Sequence, residues 1–226
     1  MRLRSLVLVA SAAAALAAPS AVASQPAPQV TDPAGDATFV NGQGFVNGPT
    51  ASGPTNQAYA DVTGVLWRPY TVKQGTRSVF GGFTVATTLS APPTPPTGTT
   101  LVYRMLGQVD GDSTLFLGPV YYTSKSSDPN QPQSALRDDL EGATRLTPLA
   151  LPTITGSTMT WTVPASALPK EFKVGKKLTN LYFEVREIED FHGVVVPSVV
   201  PSYGGATGLG VGIVDNGTST SSFTVG

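Results

Sequence analysis

Three carboxylates in the N-terminal part of the chain are spaced so that they could act together. Asp32-Pro33-Ala34-Gly35-Asp36-Ala37 sets two aspartates around a proline-initiated turn. Gly35 can take a positive φ there, which lets both side chains point to one place. Asp61 completes the set if the intervening segment folds back. Hard cations such as Ca²⁺ take roughly six to eight oxygens from carboxylates and backbone carbonyls, so Asp32, Asp36 and Asp61 form a candidate calcium site. The same residues also suit Asx-turns, in which each aspartate caps local backbone amides. Both readings stay open on spacing alone. No twelve-residue loop ending in a bidentate glutamate is present, so this is not an EF-hand.

Other constellations carry less chemistry. Asp110-Gly111-Asp112 lies between two apolar runs and reads as a hairpin turn. Arg137-Asp138-Asp139-Leu140-Glu141 reads as a solvated charge cluster. Sugar binding needs flat rings exposed on one face, and Trp67, Tyr70, Tyr121, Tyr122 and Tyr203 are the candidates. Trp161 alternates with Met159 and Val163 and belongs to the core. His192 is the single histidine, so a zinc-protease pair of histidines is excluded. A Ser-His-Asp triad would have to use His192, yet no Gly-x-Ser-x-Gly elbow precedes it. Glu184 and Glu187 fall on opposite faces of a regular strand and cannot converge as a glycosidase pair. Gly204-Gly205-Ala206-Thr207-Gly208-Leu209-Gly210 has no helical pattern after it, so it is not a phosphate loop.

The compartment follows from the N-terminus. Met1-Arg2-Leu3-Arg4 is positive, Leu6 to Ala18 is apolar but short for a membrane span, and Ala21-Val22-Ala23 is a small-x-small cleavage pattern. Residues 1–23 are therefore expected to be a signal peptide cut before Ser24, with a secreted product that has no transmembrane segment. Cysteine is absent, which excludes disulfides, thiol nucleophiles and zinc–thiolate centres. A net charge of −1 without any basic run argues against nucleic acid as a partner.

These residues have to be positioned by strands. Charged residues make up only 13% of the chain, and its 24 glycines and 20 prolines indicate many turns and few long helices. Residues 24–30 read as a flexible leader, and Thr31 to Asn56 as a long loop of the kind that is functional or tied down by a ligand. Strand patterns run over 61–70, 78–89 (with a bulge at Gly81-Gly82), 100–109, 113–122, 158–163, 178–188 and 220–225. The four prolines between Ala91 and Gly98 mark a surface loop. The only helical hints are one turn at Pro164 to Leu168 and a weak segment at Ser134 to Leu140. Many short strands without a βαβ rhythm predict an all-β, antiparallel two-sheet sandwich with minimal helix, forming one domain over 31–226.

Asp32-Pro33-Ala34-Gly35-Asp36-Ala37, followed by Asp61-Val62 opening a strand, resembles the start of the DOMON-like sandwiches related to family 9 carbohydrate-binding modules. Val163-Pro164 with Ala167-Leu168, the strand Leu181 to Val185, and Asp215 before Phe223-Thr224-Val225-Gly226 are similar too. The resemblance implies a secreted bacterial sandwich, often stabilised by calcium, in a superfamily of sugar binders and haem binders. Haem-binding relatives hold iron through a methionine and a histidine; Met105 and His192 are residues of those types, and no other feature supports haem. The expectation is a non-catalytic module that meets an extracellular glycan or cell-wall polymer. The alternatives are a small secreted hydrolase with an unrecognised carboxylate site and a purely structural envelope protein.

Overall fold

The computed structural model of the protein describes residues 26–37, 57–95, 99–125, 132–139, 144–170, 172, 175–189 and 211–224. The expected signal peptide, Tyr203 and His192 lie outside them. The described strands are β1 (Val30–Thr31), β2 (Val62–Gln74), β3 (Arg77–Leu89), β4 (Thr99–Val109), β5 (Phe116–Tyr122), β6 (Ser134–Asp138), β7 (Arg145–Pro148), β8 (Thr153–Thr155), β9 (Thr158–Pro164), β10 (Lys177–Glu189), β11 (Val211–Ser219) and β12 (Phe223–Thr224). They build two antiparallel sheets, one ordered β1-β2-β3-β9-β8 and the other β11-β10-β4-β5-β6-β7, with β12 also paired to β10. This is the expected all-β sandwich.

Period-two alternation decides which side chains meet between the layers. Phe83 and Val85 of β3, Met159, Trp161 and Val163 of β9, and Leu181, Phe183 and Val185 of β10 are all fully buried in the core. Thr160 and Thr162 alternate with them on the outer side. Trp67, Phe83 and Phe223 form one aromatic knot, with ring centroids 5.4 to 6.0 Å apart. Trp161 meets Tyr121 edge-on at 6.5 Å.

The turns follow their residues. Asp110 and Gly111 take φ values of 49° and 83°, the pair of positive φ values that a tight hairpin requires. The bulge expected at Gly81-Gly82 sits opposite the Tyr70/Thr71 step of β2. The helical turn before Leu168 is the 3-10 turn Ala165–Ala167.

Four local expectations are corrected. Ser134 to Leu140 is not helical: Ser134–Asp138 is a strand held between β5 and β7, where ladder pairing overrides a weak local propensity. The described part of the charge cluster, residues 137–139, is not a solvated surface, because Asp138 is buried and Arg137 pairs with Asp139 at 3.0 Å. Gln29 and Val30, expected in a flexible leader, are held in place: the Gln29 amide donates to Val65 O, its side chain bonds both polar backbone groups of Trp67, and Val30 is buried. The C-terminal part holds a nine-residue strand, β11, ahead of the short closing strand β12.

Trp161→Ala removes the largest side chain of β9 from a fully buried position. It should cost about 3–5 kcal/mol, whereas Val72→Ala, at an exposed position, should stay within about 0.5 kcal/mol. Urea unfolding followed by circular dichroism measures both.

Candidate functional site: an acidic seam between the sheets

β1 is the edge of the five-stranded sheet and β11 the edge of the other. The two edges come together at one side of the sandwich. Asp32 leaves the end of β1 and meets Asp215 of β11, and the turn that follows brings in Asp36. One carboxylate oxygen from each of Asp32, Asp36 and Asp215 lies within 4.8 Å of the others.

Each aspartate is placed by a separate backbone device. Gly35 takes φ 97°, a conformation that side-chain-bearing residues rarely adopt, and so turns the chain between Asp32 and Asp36. The Gly35 N–H donates to Asp61 Oδ2 at 2.7 Å. Asp61 is itself fully buried at the head of β2. Asp215 Oδ2 accepts from the Val62 N–H at 2.6 Å, which ties β11 to the opposite sheet. Gly217, two residues along β11, leaves room beside Asp32: a Cβ there would strike the Phe183 ring and lie 3.2 Å from Asp32 Oδ1.

Asp32, Asp36 and Asp61 were the expected set. Asp32 and Asp36 do converge. Asp61 stands next to them, but one of its oxygens holds the loop, and Asp215 takes the third place. Asp215 was visible in the sequence only as part of the family resemblance. It sits on a strand whose pattern, Val211-Gly-Ile-Val-Asp-Asn-Gly-Thr-Ser, is diluted by two glycines, and a residue 183 positions from Asp32 becomes its neighbour only when the sheets close.

The electrostatics are one-sided. Burial pushes the Asp215 carboxyl up to about 7; the Val62 N–H opposes this, and the charges of Asp32, Asp36 and Asp61 add to it. Burial likewise raises Asp32 to about 6, helped by Asp36 and Asp61 and opposed by its hydrogen bond with Asp215. Among the described residues, every charged group acting on these two is another carboxylate. Asp32 Oδ2 is buried with no hydrogen-bond partner. Such an oxygen is costly unless something positive meets it.

A second charged cluster differs in this respect. On the outer side of β4 and β10, Arg104 reaches Glu184 at 3.0 Å and Arg186 reaches it at 2.7 Å. That carboxylate is matched by cations of the protein itself. Asp110 is likewise engaged by Lys176 and by the Lys177 N–H, and both lower its pKa. Asp112 caps Thr114 at 2.8 Å. Asp110-Gly111-Asp112 is a hairpin turn, as expected.

The described aromatic candidates do not form an exposed platform. Trp67, Tyr121 and Tyr122 are buried, with Trp67 at 1% exposure in the aromatic knot. Tyr70 alone is described at a partly exposed position. Alternation explains the Trp67 result, since it shares a face with Val65 and both point inward. Met105 is also fully buried among core side chains.

Both raised carboxyls bind protons more tightly in the folded chain than at the ordinary value of 3.8. Their contribution is fully present below about pH 4 and is lost as pH rises through 6 to 7. In chelator, the melting temperature should therefore fall between pH 4 and pH 7.5, by an amount reflecting a few kcal/mol at most. Asp215→Asn should flatten that slope. Calorimetry across this pH range measures it.

No family model, curated protein or solved structure matches the chain, so its site is read from its own geometry.

Proposed function

We propose that the protein is a secreted, non-catalytic β-sandwich that engages an extracellular glycan or cell-wall polymer, and that a structural calcium ion closes its open seam. One observation carries the ion: three carboxylates from opposite edges of the sandwich converge, with Asp32 Oδ2 buried and unbonded. Oxygens that share a Ca²⁺ ion at about 2.3–2.6 Å are separated by at most about 5 Å, and the triad meets that limit. All the donors are hard oxygens, which suit calcium better than a soft transition metal. Asp32, Asp36 and Asp215 would hold the ion, and Asp61 would position the loop through Gly35. Bound calcium supplies positive charge there and no redox or acid–base chemistry.

The alternative of a carboxylate hydrolase needs substrate to reach the pair. Asp215 is only 5% exposed and spends an oxygen on the Val62 amide, which favours a structural role. The polymer-binding part rests on the DOMON-like resemblance and the export signal. No described helix is long and apolar enough to cross a membrane.

Calcium at about a hundredfold excess over its Kd should stabilise the fold by about 2.7 kcal/mol, or about 5–10 °C in melting temperature. Asp32→Asn and Asp215→Asn should each abolish most of that shift. An identical melting midpoint in calcium and in chelator for the unaltered chain would remove the ion from the reading.

A further inference from the structure

The outer face of the smaller sheet carries a lattice of threonines. On β9, Thr158, Thr160 and Thr162 alternate with the buried Met159, Trp161 and Val163 and point away from the core. Register fixes their neighbours. Thr162 lies beside Thr84 of β3, Thr160 lies between Ala86 of β3 and Thr153 of β8, and Thr158 lies between Thr88 of β3 and Thr155 of β8. Seven of these eight positions are threonine, set in three ranks across three strands. All eight are exposed or half-buried.

This is unlike an ordinary solvent-facing sheet. No Asp, Glu, Lys or Arg falls within residues 78–89, β8 or β9, although β8 is a sheet edge, where charge is a common protection. Among the described residues, none of the seven hydroxyls is spent on a hydrogen bond within the protein. Threonine is also stiff about χ1, because two heavy atoms on its Cβ restrict the rotamers. The strands therefore hold hydroxyls and methyls on a regular grid.

Spacing identifies the ligand. Residues two apart on one strand face repeat at about 6.8 Å, and neighbouring strands lie about 4.8 Å apart. Water oxygens bonded tetrahedrally at about 2.8 Å place second neighbours about 4.6 Å apart, and ice layers then repeat at about 7.5 Å. The two grids agree within about a tenth in each direction. Sheet twist turns adjacent strands by about 20°, which moves the corner hydroxyls about 2 Å out of plane, a step that one bridging water spans. Hydroxyls on such a grid take the places of lattice waters, and the methyls between them exclude mobile water. A charged side chain would keep its own hydration shell and break the match. Sugar recognition needs exposed rings instead, and none of the eight positions is aromatic.

We propose that this threonine face binds ice, with lattice water as its ligand. Such an activity is independent of the polymer-binding reading above.

Nanolitre osmometry of the purified chain tests it. Freezing and melting points should separate as protein concentration rises, and the chain should enter a slowly grown ice hemisphere. Thr160→Lys with Thr162→Lys should abolish both effects, since two ammonium groups would then stand within the lattice. Thr218→Lys with Thr220→Lys, at exposed positions by the end of β11 in the other sheet, adds the same charge and should leave both effects unaltered. Near-ultraviolet circular dichroism checks that each variant is folded. Equal gaps between freezing and melting for the two double variants would overturn the proposal, as would exclusion of the unaltered chain from ice. Retention on microcrystalline cellulose without ice binding would overturn it too, while supporting the polymer-binding reading.

Discussion

Closing a sandwich brings the edges of two sheets together, and in this protein the closure gathers like charges. Asp32, Asp36, Asp61 and Asp215 meet at the seam between β1 and β11, and among the described residues no lysine or arginine acts on Asp32 or Asp215. Carboxylates so close, partly withdrawn from water, repel strongly unless protons or a cation neutralise them. The seam therefore makes the stability of the fold depend on what occupies it. Its hydrogen bonds point the same way: Val62 and Gly35 each direct a backbone N–H at a carboxylate oxygen, fixing the geometry while leaving the net charge for another partner.

Elsewhere among the described residues the balance of charge differs. Between the sheets the contacts are apolar, dominated by Trp67, Trp161, Phe83 and Phe183. On the outer side of the larger sheet, Arg104 is almost completely buried, but Glu184 beside it opposes the lowering of its pKa by burial. Charges are thus matched within the protein at one cluster and left unmatched at another. That contrast separates a structural ion pair from a candidate ligand site more sharply than acidic composition alone.

Charge is also segregated between the layers. The strands of the smaller sheet hold no acidic residue, while the seam concentrates negative charge at the end of β1 and the start of β2. A net charge of −1 conceals this asymmetry, because summation discards position. Potentials depend on local arrangement, so a nearly neutral total is compatible with a strongly acidic seam.

The sequence by itself determined the fold class and most of the core. Alternation in 78–89, 158–163 and 178–188 identified the buried face of three strands, because a strand's two faces differ by one residue and a buried face must be apolar. It also determined that Asp32 and Asp36 converge, since a proline, a glycine and two aspartates within five residues are a local arrangement. Tertiary structure decided the third carboxylate. Asp215 becomes a neighbour of Asp32 through the meeting of two sheet edges, and no pattern within a short window reports a contact across 183 residues. It decided the fate of the aromatics as well: a tryptophan in an alternating strand can serve a core or a surface, and only the packing of Phe83 and Phe223 onto Trp67 places that ring inside.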